Sequence, residues 1–182
     1  MNHDILKEVI FDQHEIIKKT NIVPRDYDFD LNANYVLIGL RRAGKSTLLY
    51  KIVKDLVEKG TEWNQIIYIN FEDERLAEFS LNDFNDLLSV QAELTDKIGY
   101  FFLDEVQKVS EFQKAVDGLY IIKNVDVYIT GSNAYLLSGE LATLLTGRYI
   151  EIKMYPLSFE EYLNYYKKDV DEKMYLNYIN RS

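Results

Sequence analysis

Two patterns of hydrophobic and polar positions alternate along this chain. Short apolar runs occur at Tyr35-Val36-Leu37-Ile38, Ile66 to Phe71, Tyr100-Phe101-Phe102-Leu103, Val125 to Thr130 and Tyr149 to Met154. The first four are nearly continuous in apolar character, as strands buried on both faces are. The fifth alternates and reads as an edge or half-exposed strand. Between the runs, apolar residues recur with helical spacing. From Ser46 to Lys59 the set is Leu48, Leu49, Ile52, Val53, Leu56 and Val57, and Gly60 supplies the stop. Asn133 to Leu145 is a further amphipathic stretch, and a helix of roughly Asp4 to Lys19 precedes the first strand. Ser110 with Gln113, and Ser158 with Glu161, have capping-box spacing ahead of apolar segments. The alternation predicts an α/β fold, a parallel sheet with helices on both faces, because right-handed crossovers leave few other solutions. Ligands in such folds sit beyond the carboxyl ends of the strands. The informative residues are therefore expected just after each strand.

Composition narrows the possibilities. The chain has 182 residues, enough for one domain with a real core. Its 30 Asp+Glu against 21 Lys+Arg give a net charge of −9, which does not support sequence-independent nucleic-acid binding. The absence of Cys excludes disulfides, thiolate zinc sites and cysteine nucleophiles. No apolar run reaches the length of a membrane span, and the polar start Met1-Asn2-His3-Asp4 lacks the order of a signal peptide. The expectation is a cytoplasmic protein with no membrane partner. The two histidines, His3 and His14, have no spaced partners for a metal site, and the abundance of tyrosine reads as compositional bias.

The first strand runs into Gly39-Leu40-Arg41-Arg42-Ala43-Gly44-Lys45-Ser46-Thr47, which matches G-x-x-x-x-G-K-[ST] in the required strand–loop–helix context. Gly39 and Gly44 allow the backbone to wrap closely and turn N–H groups inward. That nest and the following helix N-terminus bind phosphate. Lys45 places a charge on the terminal phosphates, and the Ser46 hydroxyl is positioned for Mg²⁺. Arg41 and Arg42 lie outside the strict pattern; they are either solvated or directed at the phosphates or a partner. An Asn-Lys-x-Asp guanine-reading motif is missing, so ATP is favoured over GTP.

The third strand ends in Asp104-Glu105. Two adjacent carboxylates delivered by a buried apolar strand need a cation or water to meet them. Asp104 is the natural outer-sphere or direct ligand of the magnesium held by Ser46. Glu105 points the other way, because strand side chains alternate, and suits a base acting on water. The fourth strand ends in Thr130-Gly131-Ser132-Asn133. Ser132 or Asn133 either orients that water or caps the next helix, and the two roles are compatible. Arg148, just before the fifth strand, either complements a helix dipole or acts as an arginine finger on a neighbouring subunit's nucleotide. The acids of Asn70-Phe71-Glu72-Asp73 have no assignable role.

Together with Ile69-Asn70-Phe71-Glu72-Asp73, Phe102-Leu103-Asp104-Glu105-Val106-Gln107, Ile129-Thr130-Gly131-Ser132, Gly147-Arg148 and Tyr155-Pro156-Leu157-Ser158-Phe159-Glu160-Glu161, the segment Gly39 to Thr47 makes a set that resembles the AAA+-type ATPases of bacteria and archaea. The branch in question carries Gly-x-Arg-Arg-x-Gly-Lys and is related to the archaeal ATPase and STAND groups. The resemblance runs from about Val36 to Leu163. It implies a P-loop NTPase of three α/β/α layers with a five-stranded parallel sheet in the order 5-1-4-3-2. It further implies Asp104 and Glu105 in the Walker B role, and Ser132 or Asn133 as sensor 1. It also strengthens Arg148 as a finger. On this reading residues 1–30 are an N-terminal helix and lead-in, 31–168 an AAA+-like ATPase core, and 169–182 the start of a truncated C-terminal region. A lid and a target-selecting domain, through which copies or partner proteins would assemble, are expected in the missing part. The expected activity is Mg²⁺-dependent hydrolysis of ATP to ADP. The alternative is a nucleotide-gated switch with little turnover.

Overall fold

A computed structural model describes residues 1–23, 25, 27, 29, 30, 33–132, 149–167 and 169–179. Five strands form one sheet: β1 (Tyr35–Gly39), β2 (Ile66–Asn70), β3 (Gly99–Asp104), β4 (Val125–Ser132) and β5 (Ile150–Met154). All neighbouring pairs are parallel, and the order is β2-β3-β4-β1-β5. This is the P-loop NTPase order that the resemblance implied. β1 is buried along its whole length, whereas β5 lies at the edge with only Met154 buried. The alternating pattern marked the exposed β5 edge, whereas the other edge strand, β2, is continuously apolar and buried.

Six helices accompany the sheet among the described residues: α1 (His3–Lys19), α2 (Lys45–Glu58), α3 (Phe84–Leu94), α4 (Phe112–Ile121), α5 (Phe159–Tyr166) and α6 (Glu172–Ile179). Alternate strand residues point into two separate cores. Val36, Ile38, Ile67, Ile69, Phe101 and Leu103 pack with α3 and α4. Tyr35, Leu37, Tyr68, Phe102 and Tyr128 pack with Leu48, Leu49, Ile52 and Val53 of α2. α1 contributes Leu6, Val9 and Ile10 to the first core and Ile17 to the second, so it lies against the β2 edge of the sheet. No described helix is long and apolar enough to cross a membrane.

The capping expectations divide. Ser158 and Glu161 form the expected box at the start of α5, with both reciprocal hydrogen bonds present. Ser110 does not cap α4. The chain enters that helix through Glu111 in a left-handed conformation, with no side-chain cap, so the helix starts one residue later than Ser110–Gln113 spacing requires. α3 is an element that the sequence reading left unmarked. Its buried stripe of Phe84, Leu87 and Val90 has helical spacing but is short. The amphipathic stretch Asn133 to Leu145 lies outside the described residues.

Candidate functional site

Sheet order determines where the site lies. β1, β4 and β3 are neighbours at the centre, so the residues at their carboxyl ends converge. The phosphate loop leaves β1 at Gly39. A Cβ at Gly39 would lie 2.4 Å from the Met154 carbonyl oxygen on β5, so only glycine lets the loop depart beside that strand. Gly44 caps α2 in a left-handed conformation, φ +89°, where a side chain is strained. Between them the Ala43 N–H donates to the Leu40 carbonyl at 3.2 Å. α2 begins directly at Lys45, so its first amides lack helical acceptors and are available to an anion. Lys45 is buried, and its Nζ donates to the carbonyls of Leu40 at 3.1 Å and Gly39 at 3.3 Å. The ammonium is thus held across the loop it is expected to serve. Leu40, Arg41 and Arg42 are exposed, while Ser46 and Thr47 are half-buried.

Asp104 is fully buried at the end of β3. The Tyr68 hydroxyl donates to its Oδ2 at 2.9 Å, and the Thr130 hydroxyl donates to its Oδ1. Burial pushes the Asp104 carboxyl above the usual aspartate range, while the hydroxyls of Thr130, Ser46 and Tyr68 pull it back. Ser46 lies near enough to the Asp104 carboxyl to hold its pKa down, so the two residues expected at a magnesium ion are close together. One hydroxyl and one carboxylate fit Mg²⁺, which takes few protein oxygens and completes its shell with phosphate and water. They do not make a self-contained protein metal centre. Among the described residues no group of three or more His, Cys, Asp or Glu could do so.

Glu105 follows in a left-handed conformation, φ 55° and ψ 42°. Its N–H donates to Thr130 Oγ1 at 3.0 Å, and its carboxylate accepts from Gln107 Nε2. Asp104 faces the buried network, whereas Glu105, past the end of β3, is half-buried. Ser132 ends β4 in register with Gly39. Asn133 and Arg148 lie outside the described residues. Asp73, left unassigned by the sequence, caps a turn and pairs with Arg75 at 2.8 Å.

Three residues with a place in this site escaped the sequence reading. Thr130 joins Asp104 to Glu105 through one hydroxyl. The sequence marks it only as a strand terminus, although a polar residue closing an apolar strand is a usable signal. Tyr68 lies among apolar neighbours on β2, and nothing local marks its hydroxyl. Arg25, in the lead-in ahead of β1, donates to the Ala43 carbonyl at 3.0 Å and pairs with Glu161, 136 residues away in sequence. Beside the loop, Ile22, Val23, Leu48 and Leu157 line an apolar pocket that Arg42, Ala43 and Gly44 border. Arg41 and Arg42 also border a groove formed with Tyr162, Tyr165, Tyr166 and Tyr178.

A model of the AAA domain matches residues 32–163. An uncharacterized protein of Haemophilus influenzae is 45% identical over 150 residues, covering 79% of this chain and 37% of that protein. An uncharacterized protein of Methanocaldococcus jannaschii is 36% identical over 171 residues, covering 93% of this chain and 37% of that one. The chain spans a little over a third of the length of these curated relatives. Among solved structures, C. elegans PCH-2 superposes with a TM-score of 0.52 at 15% identity, covering 88% of this chain and 44% of that one. At that identity the likeness concerns the fold alone.

Proposed function

The chain belongs to the AAA domain family, and from that premise we propose that it binds ATP and hydrolyses it with Mg²⁺ as the core of a larger AAA-type ATPase. One observation carries the reading. Asp104, Thr130 and Glu105 form a hydrogen-bonded chain, with Ser46 near the Asp104 carboxyl, beside the loop that holds Gly39, Gly44 and Lys45. In this proposal Gly39 to Thr47 bind the phosphates, with Lys45 drawn from the loop carbonyls to the terminal phosphate. Ser46 and Asp104 hold the magnesium ion. The bound ion supplies charge neutralisation on the phosphate oxygens. Glu105 takes the proton of the attacking water. Ser132 and Asn133 orient that water, and Arg148 completes the site of a neighbouring copy in a homo-oligomer. The apolar pocket of Ile22, Val23, Leu48 and Leu157 suits the adenine ring.

The test is Mg²⁺-dependent phosphate release by the wild-type chain and by Glu105→Gln. The expected result is unchanged ATP affinity with turnover reduced about 10²–10⁴-fold, the scale of a positioned base. Wild-type turnover in the variant overturns the assignment of Glu105. The switch reading has one observation in its favour: the Glu105 carboxylate already accepts a hydrogen bond from Gln107. Retained ATP with negligible turnover in the wild type, and a rise in turnover in Gln107→Ala, would favour that reading.

A further inference from the structure

Arg25 connects the phosphate loop to a distant helix. Its side chain is only 9% exposed. Nη1 donates to the Ala43 carbonyl at 3.0 Å, and Nη2 donates to the Tyr155 carbonyl at 2.9 Å. Nε and Nη2 grip the two carboxylate oxygens of Glu161 at 3.1 and 3.3 Å. Ala43 belongs to the phosphate loop, Tyr155 directly follows β5, and Glu161 is the third residue of α5. A planar fork with five donors can serve two carbonyls and both oxygens of a carboxylate together; an ammonium, with three donors on one atom, cannot reach all four.

The contact with Ala43 bears on anion binding. In a trans peptide the carbonyl of Ala43 and the N–H of Gly44 lie in one plane and point in opposite directions. Arg25 holds the carbonyl from outside, so the Gly44 N–H is turned away from Arg25. A glycine conformation at φ +89° has little of its own to keep that peptide from rotating. An external hold therefore matters most there. On its other side, Arg25 uses a carboxylate that also closes the start of α5. Glu161 Oε2 accepts from the Ser158 N–H at 2.7 Å, and Ser158 Oγ accepts from the Glu161 N–H at 3.1 Å. The ion pair holds the Glu161 carboxyl below the usual glutamate range.

We infer that Arg25 is a positioning residue that fixes the Ala43–Gly44 peptide in its anion-binding orientation and ties that orientation to the N-terminus of α5. Phosphate binding and the placement of α5 are then one coupled event. The inference rests on the phosphate-loop reading, and the experiment separates the two. Mg·ATP affinity and amide hydrogen exchange are measured for the wild type, Arg25→Ala, Arg25→Lys and Glu161→Gln, with Lys45→Ala as the binding-deficient control. In Glu161→Gln a side-chain oxygen remains for the Ser158 N–H, so α5 keeps its cap and that variant tests coupling without loss of the helix.

Arg25→Ala should weaken Mg·ATP binding about tenfold or more, and Lys should restore little of it. Mg·ATP should slow exchange in residues 155–166 of the wild type, and that slowing should disappear in Arg25→Ala and Glu161→Gln. Wild-type affinity together with wild-type slowing in either variant overturns the inference. Failure of the phosphate-loop reading looks different: the wild type itself then binds no Mg·ATP. The coupling is still decided in that case by exchange in the free protein. Arg25→Ala must speed exchange at the Gly44 amide and in α5 together, and a change confined to α5 overturns it.

Discussion

Thr130 shows how much one hydroxyl can hold in place. It is fully buried, accepts from the Glu105 N–H at 3.0 Å and donates to Asp104 Oδ1. Both functions are needed where they occur. Asp104 is a buried carboxylate whose oxygens need donors. Glu105 is a non-glycine residue in left-handed backbone, a conformation that costs about 1–2 kcal/mol unless something holds it. Thr130→Val keeps nearly the same shape and removes the donor and the acceptor together. It should lower unfolding stability by about 1–3 kcal/mol in a urea titration, the penalty for leaving buried polar groups unpaired. Thr130→Ser should stay near the wild type. A valine variant within about 0.5 kcal/mol of the wild type would mean that the hydroxyl does not support the two acids.

At the scale of elements, α1 and β2 form a unit. β2 is an edge strand by topology, yet four of its five residues are buried, because α1 covers it. His14 of α1 seals the contact. Its Nε2 lies 2.8 Å from the Ile66 carbonyl oxygen, which can only accept, so the proton sits on Nε2. The ring also packs against Trp63, with centroids 5.0 Å apart. Burial holds the His14 pKa below its ordinary value, with nearby Lys18 adding in the same direction. The unfolded chain therefore takes up the proton first. This contribution to stability is complete above the ordinary histidine pKa of about 6.5 and is lost as pH falls towards the lower folded value. His14→Gln retains a donor and cannot titrate. Its melting temperature should fall less than that of the wild type between about pH 7.5 and about pH 5.5. Equal losses in the two proteins would remove His14 from the acid response.

The tyrosines gain meaning at the same scale. Tyr35, Tyr128, Phe102 and Tyr68 occupy matched register positions on β1, β4, β3 and β2. Their rings stack across the sheet beneath α2, with centroids 5.6, 4.6 and 5.9 Å apart. The row ends at Tyr68, whose hydroxyl reaches Asp104. What reads in the sequence as compositional bias is, for these residues, a packing layer that leads into the site.

For the whole molecule, the proposed binding at the loop would be linked to folding. A ligand that binds only the folded state adds RT ln(1 + [L]/Kd), about 2.7 kcal/mol at a hundredfold excess over Kd. On the proposed function, the melting temperature should climb with ATP concentration in the presence of Mg²⁺. Lys45→Ala should melt at one temperature whatever the ATP concentration. A variant that follows the wild-type curve would contradict the phosphate role of Lys45. Lys45 is buried with its charge on two loop carbonyls, so the ATP-free melting temperatures of the two proteins should also be compared.

The sequence alone determined what local chemistry determines. Apolar runs marked all five strands and separated the β5 edge from the interior. The spacing of Gly39, Gly44, Lys45 and Ser46 located the loop, and Ser158 with Glu161 located the start of α5. These signals lie within a few residues of one another, where backbone conformation and periodicity act directly. Tertiary structure decided the rest. Asp104 gained Tyr68, Thr130 and Ser46 as partners because the sheet order sets β2, β3, β4 and the β1 loop side by side. Arg25 gained Ala43, Tyr155 and Glu161 because the lead-in passes beside the phosphate loop and the start of α5. Hydrogen bonds depend on distance in space, and a folded chain brings together donors and acceptors that its sequence keeps far apart.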